Sequence, residues 1–381
     1  MGRDLGRGAP LRGRAVELVR RARAAAALAR RHRAIARAAS APRSAPRVSY
    51  GHEHIPGPDE LAFGGLVKFQ GLQPRFPNAP RDFNLLYLGS SSLPPDAVKL
   101  IELARSRGAP VVWNQNGVAY PAWAGADTDR INAPRSAGLH AAAHVLYQSA
   151  YCKLSSDAAL GEPSCPWEVL HNPVDTQRFR PASGAPNGLV VLLGGNQYER
   201  YRLETALRSF AVVAAGRPDA RLLVTGSLSW SYDRDANLAE TLGLAARLGV
   251  ADRIDFLGSY SQAEAPEVLR RAHLLLHTKV NDPCPTIVLE AMACGLPVVY
   301  SASGGVPELV GDAAGIGIET PVRWDEIDPP APELFGAAVL EASERLPELG
   351  EAARARAVER FDVRPWIERH TELFEELLGG R

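Results

Sequence analysis

Residues 273–311 read HLLLHTKVNDPCPTIVLEAMACGLPVVYSASGGVPELVG and decide the fold of this 381-residue chain. An apolar stretch ends near His277, a loop with two prolines follows, and a helix pattern starts near Thr286 and stops at Gly295. A second apolar stretch, GLPVVYS, begins at that glycine. A strand, a helix and a strand in this order predict a βαβ unit with parallel strands.

The same alternation runs through both halves of the chain. Strand patterns in the first half are RVSYGHEHI, FNLLYLGS, APVVWNQNG and AAHVLYQS, and in the second half GLVVLLGGN, ARLLVTGS, RIDFLGS and AHLLLHT. Near-continuous apolar strands fit parallel sheets covered on both faces, and the chain is longer than one hydrophobic core usually serves. The sequence therefore predicts an α/β fold with two Rossmann-like doubly wound domains facing across a cleft.

Composition separates an N-terminal arm from the body. Residues 1–47 hold 13 arginines against two acidic residues, so the arm carries +11 and the rest of the neutral chain −11. We expect the arm at 1–47, an N-terminal domain at 48–172, a C-terminal domain at 173–361 and a last helix at 362–381. The four cysteines form no CxxC pair, and neither a signal-peptide nor a transmembrane pattern is present, which predicts a cytoplasmic protein.

The arm has the pattern of a basic amphipathic helix. Its small and apolar residues recur at three- and four-residue spacing without an intervening arginine, at Leu11, Ala15, Leu18, Ala22, Ala25 and Ala29. Such a helix can lie on anionic lipid, and we name the inner face of the cell membrane as a candidate partner surface. The stripe is mostly alanine, so a solvated extension is the alternative. No nucleic-acid partner is expected.

The loop before Thr286 has the chemistry of a phosphate site. A helix N-terminus offers free N–H groups and the positive end of the helix dipole. Since Pro283 and Pro285 lack an N–H, the usable donors are the amides of Cys284, Thr286 and Ile287. Glu290 lies one turn deeper, where a carboxylate can accept hydrogen bonds from sugar hydroxyls.

This stretch resembles the donor-binding segment of glycosyltransferase family 4, a family of retaining GT-B enzymes. That family has two acidic residues separated by seven, then an LEAMACGxPVV run and a GGxxELV run. In this chain the acidic pair is Asp282 and Glu290, and Asp282 stands where the family usually has glutamate. The resemblance implies that Glu290 holds the ribose of a nucleotide sugar and that Asp282 contacts the donor sugar. The similarity covers about residues 140–375 and, more faintly, the part from residue 48. A GT-B protein would send its last helix back onto the N-terminal domain.

The chain departs from the family where the donor diphosphate is neutralised. Family members usually have an arginine after the glycine of GGN and a lysine a few residues on, whereas this chain has Asn196 and Tyr201. Arg200 and Arg202 flank Tyr201, so one of them could supply the charge or both could be solvated. We therefore predict a catalytic set and a donor-binding set: Asp282, Glu290, Arg200 and Arg202, and then Gly195, Asn196, Gly226, Cys284, Thr286, Ile287 and Glu290.

The acceptor side is predicted from the first half of the chain. Gly64 and Gly65 resemble the family's glycine pair near the acceptor and the diphosphate. Gln115 or Asn116 stands where the family often has a histidine, and neither can act as a general base. The DxD triplet at residues 233–235 is a weak motif in a polar loop, so no metal site and no cofactor are expected.

The expected function is transfer of a hexose, with retention, from a nucleotide sugar to a sugar or lipid-linked acceptor. Cell-envelope polysaccharide or glycolipid assembly would fit the basic arm. Two alternatives stay open at this point: another GT-B enzyme such as a nucleotide-sugar epimerase, and a sugar-nucleotide-binding subunit without catalytic activity. The substitutions at Asn196, Tyr201 and Asn116 keep the second alternative open.

Overall fold

The structure is a computed structural model that describes residues 11–38, 45–62, 64–182, 184 and 187–379. Its N-terminal domain contains five strands: β1 Val48–Ser49, β2 Leu85–Gly89, β3 Val111–Gln115, β4 His144–Tyr147 and β5 Trp167–Val169. Its helices are α1 Leu11–Arg37, α2 Gly64–Leu72, α3 Ala97–Ser106, α4 Pro121–Ala124, α5 Thr128–Ala141 and α6 Ala150–Leu160. The five strands are parallel and lie in sequence order.

The C-terminal domain contains six strands: β6 Val190–Leu193, β7 Arg221–Thr225, β8 Ile254–Gly258, β9 Leu274–His277, β10 Val298–Ala302 and β11 Gly315–Glu319. Its helices are α7 Arg200–Gly216, α8 Arg234–Arg247, α9 Ala265–Leu269, α10 Thr286–Ala293, α11 Val306–Val310, α12 Pro332–Glu344 and α13 Leu346–Phe361, and α14 Val363–Leu378 follows. The sheet is parallel in the order β11-β10-β9-β6-β7-β8, the Rossmann order read from one edge. The α/β fold with two Rossmann-like sheets is thus confirmed.

Both sheets are covered on both faces, as continuous apolar strands require. In the C-terminal domain, α9, α10, α11 and α13 contribute to the core on one face, and α7, α8 and α12 to the core on the other. In the N-terminal domain, α3, α5 and α6 cover one face and α2 the other. Each domain therefore has its own hydrophobic core on both faces of its sheet, and these cores hold the sheets of the two domains in place.

The last helix, α14, belongs spatially to the N-terminal domain. Trp366, Leu373 and Phe374 pack with α2 and the N-terminal strands in one buried cluster. The chain crosses between the domains twice, and the two crossings are paired: Val174 N–H donates to Phe361 O (2.8 Å), and Val363 N–H donates to Val174 O (3.1 Å). This pairing forms the base of the cleft between the domains.

The C-terminal end of α1 is docked on the N-terminal domain. Ile35 is fully buried in the core beneath α3, and the buried Arg31 guanidinium contacts Asp96 (3.2 Å) and donates to Gly51 O (2.7 Å). Ala22, Ala25 and Ala29, three residues of the predicted stripe, are exposed. The side chains of its other three members, Leu11, Ala15 and Leu18, lie outside the part that the structure describes.

Three strands differ from the sequence pattern. RVSYGHEHI contributes only Val48 and Ser49 to the sheet, because the chain turns at Gly51 (φ 79°) and the Gly51 carbonyl accepts from Arg31 instead of a strand. β5 and β11 were not predicted, since β5 has only three residues and GIGIE is short and carries two glycines. Among the helices of the described residues, none has both the length and the apolar content that crossing a bilayer requires.

Candidate functional site

The centre of the C-terminal sheet defines a ligand crevice. β6 and β9 are neighbours there, and the connections leave them toward opposite edges of the sheet. In open α/β sheets a ligand binds outside the carboxyl ends of the strands at such a switch point. The loops that begin at Gly194 and Thr278 meet at this point and face the N-terminal domain.

The start of α10 offers the backbone N–H groups that a phosphate site requires. Within the described residues, the N–H groups of Cys284, Thr286 and Ile287 donate to no protein acceptor. The carbonyls of the preceding turn are held by the N-terminal domain: Ser149 Oγ donates to Pro283 O (2.7 Å), and Asn172 Nδ2 donates to Cys284 O (2.8 Å). The backbone carbonyls thus fix the loop in place, while its backbone N–H groups stay available to a ligand.

Glu290 lines the cleft one turn into α10. Its carboxylate is buried and accepts a hydrogen bond from Gln262 Nε2 (3.0 Å). Burial raises the pKa of Glu290, an effect that the Gln262 hydrogen bond and the Arg178 charge oppose. A buried carboxylate with a spare oxygen can accept hydrogen bonds from the hydroxyls of a bound sugar or ribose.

Asp282 lies in the loop ahead of α10, between two nitrogen-bearing side chains. Its Oδ2 is 3.2 Å from His277 Nε2 and 3.6 Å from Lys279 Nζ. Burial would raise the pKa of Asp282, but the Lys279 charge and the His277 contact together hold it well below its usual range. The preceding residue, Asn281, has a left-handed backbone (φ 55°), which is rare outside glycine and sets the direction of this loop.

The loops after β6 and β7 touch each other through glycines. Gly226 has a φ of 82°, and a Cβ there would lie 2.3 Å from Gly195 O, so no larger residue fits. Asn196 Oδ1 accepts from Ser227 N–H (2.9 Å), which joins the same two loops. A Cβ at Gly195 would face open space, while the Gly195 N–H donates to Thr225 Oγ1 (3.3 Å) and its carbonyl accepts from Gln197 Nε2 (2.7 Å).

The two arginines predicted to neutralise a diphosphate point elsewhere. Arg200 lies on the surface and forms ion pairs with Glu204 (2.9 Å) and Glu240 (2.7 Å). Arg202 is buried and donates to the backbone carbonyl of Asn196 (2.9 Å). Tyr201, which stands near the family's lysine position, accepts at its hydroxyl from Val280 N–H (3.1 Å). Arg202 and Tyr201 therefore fix the loops of the crevice.

Among the residues predicted for the acceptor side, the structure places neighbours in different surroundings. A Cβ at Gly65 would lie 2.6 Å from Ser91 Oγ, so the glycine lets α2 approach the loop after β2, whereas Gly64 faces open space. Gln115 is fully buried and accepts from Trp113 Nε1 (2.7 Å), which turns it into the domain. Asn116 instead lines a smaller cleft of about 200 Å³ beside Lys279 and Asn281.

A larger cleft of about 480 Å³ lies between the domains. Its C-terminal wall includes Gln262, Thr286 and Glu290, and its N-terminal wall includes Lys68 and Gln70 of α2. Lys68, Ser149 and Asn172 were not predicted from the sequence. Lys68 had a visible signal, because it is one of only four lysines and stands in the apolar segment FGGLVKFQGL. Ser149 and Asn172 had none, since their roles depend on the domains meeting.

A substitution at Gly305 tests the fixed position of the loop before α10. A Cβ at Gly305 would lie 2.0 Å from Pro283 O and 2.8 Å from Ser149 Oγ. Gly305→Ala must therefore displace this loop, and we expect an unfolding free energy lower by about 1–3 kcal/mol, the usual range for overpacking. Thermal denaturation measures the effect. Gly243→Ala on α8, where the nearest atom is 3.5 Å away, is the control and should not destabilise the protein.

Two facing parallel Rossmann-like sheets with a cleft at their carboxyl ends define the GT-B class of fold. Solved structures agree: Anabaena Alr3699/HepE in complex with UDP-glucose superposes with a TM-score of 0.63 at 18% identity, covering 79% of this chain and 79% of that chain. AviGT4, a glycosyltransferase involved in avilamycin A biosynthesis, covers 88% of this chain and 99% of its own at a TM-score of 0.54 and 18% identity.

Sequence comparisons concern mainly the C-terminal domain. Residues 175–328 match the family model described as glycosyl transferases group 1. D-inositol 3-phosphate glycosyltransferase of Segniliparus rotundus is 32% identical over 203 residues, which is 50% of this chain and 42% of the relative. The corresponding protein of Salinispora tropica is 32% identical over 180 residues, 41% of this chain and 37% of the relative. The chain thus matches less than half the length of these curated relatives.

Proposed function

We propose that this protein is a retaining glycosyltransferase of the family 4 type, which transfers a hexose from a nucleotide sugar to an acceptor. The observation that carries the proposal is the α10 start, where free amides and the buried Glu290 face the interdomain cleft. The match of residues 175–328 to glycosyl transferases group 1 supports it, and so does the glycosyltransferase activity for which the curated relatives are named. The Alr3699/HepE complex supports a nucleotide-sugar donor, because that protein was solved with UDP-glucose.

The chemical requirement on the site follows from the leaving group, which is a nucleoside diphosphate. Breaking the bond between sugar and nucleotide puts negative charge on the diphosphate, so the site must stabilise that charge. The amides of Cys284, Thr286 and Ile287 and the dipole of α10 are oriented for this task. Glu290 would hold the ribose and Asp282 would act on the sugar side. We propose that these groups suffice without a metal ion.

A thermal-shift panel with nucleotide sugars tests the donor proposal. A ligand that binds only the folded state at 100 times its Kd stabilises the protein by about 2.7 kcal/mol, which raises the melting temperature by several degrees. We expect a shift with one class of nucleotide sugar, followed by release of its nucleoside diphosphate when an acceptor panel is added. Conversion of the donor without an acceptor would identify an epimerase, and binding without any turnover would identify a non-catalytic subunit.

We further propose that the protein works in the cytoplasm at the inner membrane face, on a lipid-linked acceptor for polysaccharide or glycolipid assembly. The basic α1 supports this, because Arg23, Arg30 and Arg33 are exposed along it. A basic residue near an anionic surface contributes about 1 kcal/mol.

Vesicle binding tests the role of α1. Replacing Arg23, Arg30 and Arg33 with glutamine should weaken binding to phosphatidylcholine vesicles containing 30% phosphatidylglycerol roughly 100-fold, since about 3 kcal/mol is lost. Co-sedimentation at low salt measures this. The control is the triple glutamine variant of three exposed arginines outside α1: Arg208, Arg234 and Arg360. Equal binding by both variants would contradict the membrane proposal.

A further inference from the structure

Lys68 is a buried cation whose partners are neutral. It lies on α2, is 4% exposed, and its Nζ donates to Asn114 Oδ1 (2.7 Å) and Asn116 Oδ1 (3.5 Å). Within the described part of the chain, no carboxylate comes within ion-pair distance of its ammonium group. A buried ammonium without a counter-charge is costly, and burial lowers the pKa of Lys68 to about 7. Such an arrangement destabilises the free protein and favours an anionic ligand.

The position of Lys68 indicates where that anion would sit. Lys68 lines the 480 Å³ cleft, with Thr286 and Glu290 at the start of α10 on the opposite wall. Arg178 lines the same cleft, and its Nη2 atom is buried without a hydrogen-bond partner among the described residues. Two cationic side chains from different domains thus face one cavity beside a helix N-terminus.

Two other cations near the loops of the C-terminal domain are directed away from the larger cleft. Arg200 pairs with glutamates on the surface. Arg202 also has neutral partners, but it donates to the backbone carbonyls of Asn196 and Gly194 and lines neither cleft. Lys279 lies beside Asp282 and lines the smaller cleft instead. The positive charge that a diphosphate requires must therefore come largely from another source.

We propose that Lys68, presented by the N-terminal domain, binds the diphosphate of the nucleotide-sugar donor. This inference rests on the proposed function. Asn114 orients the ammonium group and is itself held by Gln148 Nε2 (2.7 Å) and by its own bond to the Tyr87 hydroxyl (3.0 Å). Because Lys68 and α10 belong to different domains, the diphosphate joins the two domains, and its binding draws them together.

Protonation gives this proposal a distinctive signature. Above pH 7 a large part of Lys68 is neutral in the free protein, and a bound diphosphate raises its pKa, so binding takes up a proton. Diphosphate affinity should therefore fall as pH rises from 7 to 9. The other titratable groups around Lys68 and its cleft are Cys152, Cys284, His370, Asp175, Arg178 and Glu290. Burial raises the pKa of both thiols and lowers that of His370 to about 4, so these three are neutral across this range.

Calorimetry with Lys68→Met tests the contact. The probes are uridine with UDP, guanosine with GDP, and adenosine with ADP, measured at pH 7.0. We expect the wild type to prefer one diphosphate over its nucleoside, and Lys68→Met to lose about 10- to 100-fold of the diphosphate affinity, the size of a charge-assisted hydrogen bond. Nucleoside affinity should change less than about twofold. Lys99→Met, on the surface of α3, is the matched control and should bind as the wild type does.

The outcomes separate this inference from the function on which it rests. If the wild type binds none of these nucleotides, the proposed function fails. If the wild type prefers a diphosphate and Lys68→Met keeps that preference, Lys68 is not the diphosphate ligand and the function stands. If Lys68→Met does not fold, a second measurement tests the inference. This measurement is the proton uptake on nucleotide binding, taken at pH 8 in buffers of different ionisation enthalpy. We expect uptake by the wild type and none by Lys68→Arg, whereas equal values in both overturn the inference.

Discussion

Replacing Glu290 with alanine is expected to weaken binding of the preferred nucleoside diphosphate by about 100-fold. Hydrogen bonds to a charged group contribute about 1.5–3 kcal/mol, and a ribose offers two hydroxyls to one carboxylate. Glu290 is buried at the wall of the cleft, and only Gln262 donates to its carboxylate among the described side chains. Calorimetric titration measures the loss. Glu267→Ala on α9, an exposed glutamate outside the cleft, should leave the affinity unchanged.

Glu290→Gln tests the stability of the protein, and here we expect a gain, in contrast to the loss of nucleotide affinity in Glu290→Ala. Burial raises the pKa of Glu290, so its contribution to stability is present at low pH and is lost as pH rises through that pKa. The glutamine variant carries no charge to bury, so it should melt at a higher temperature than the wild type at pH 8. The difference should shrink toward pH 4. A variant that loses stability at pH 8 while keeping nucleotide affinity would show that Glu290 is structural.

Replacing Asp282 with asparagine is expected to lower turnover by about 100-fold or more while nucleotide affinity changes by less than about threefold. Preorganised charges at a reacting centre typically contribute factors of 10² to 10³. Asp282 lies between His277 and Lys279, and Lys279, Asn281 and Pro283 line the smaller cleft, away from Glu290. In the proposed function, the charge that is removed acts on the donor sugar. Nucleoside diphosphate release with the acceptor identified by the panel measures turnover, and calorimetry measures affinity.

The pH dependence of stability distinguishes a folding defect from a catalytic one. The depressed pKa of Asp282 stabilises the fold above the carboxyl's unfolded pKa, and this contribution is lost as pH falls. Wild type should therefore lose more stability than Asp282→Asn between about pH 5 and pH 3, given an ordinary aspartate pKa of about 3.9. Asp312→Asn, an exposed carboxylate on the same domain, serves as the control. Unchanged turnover in Asp282→Asn would remove it from the proposed catalytic set.

The sequence alone does not predict which of two neighbouring polar residues faces a cleft. Gln115 and Asn116 are equally polar and adjacent, yet one is turned into the domain and the other faces a cleft. Alternation along β3 decides this, because successive side chains point to opposite faces until the strand ends. Arg200 and Arg202 show the same limit on α7, where positions two apart lie on different faces of the helix.

The sequence by itself determined the alternation of strands and helices, the parallel sheets, and the α10 start with Glu290 one turn inside it. These features depend on local periodicity and on helix-end chemistry, which neighbouring residues specify. The tertiary structure decided which cations face the cleft. Lys68 is 218 residues from Thr286, the first residue of α10 on the opposite wall, and Ser149 meets Pro283 only across the domain interface. Burial and charge at such contacts depend on domain packing, which local sequence does not encode.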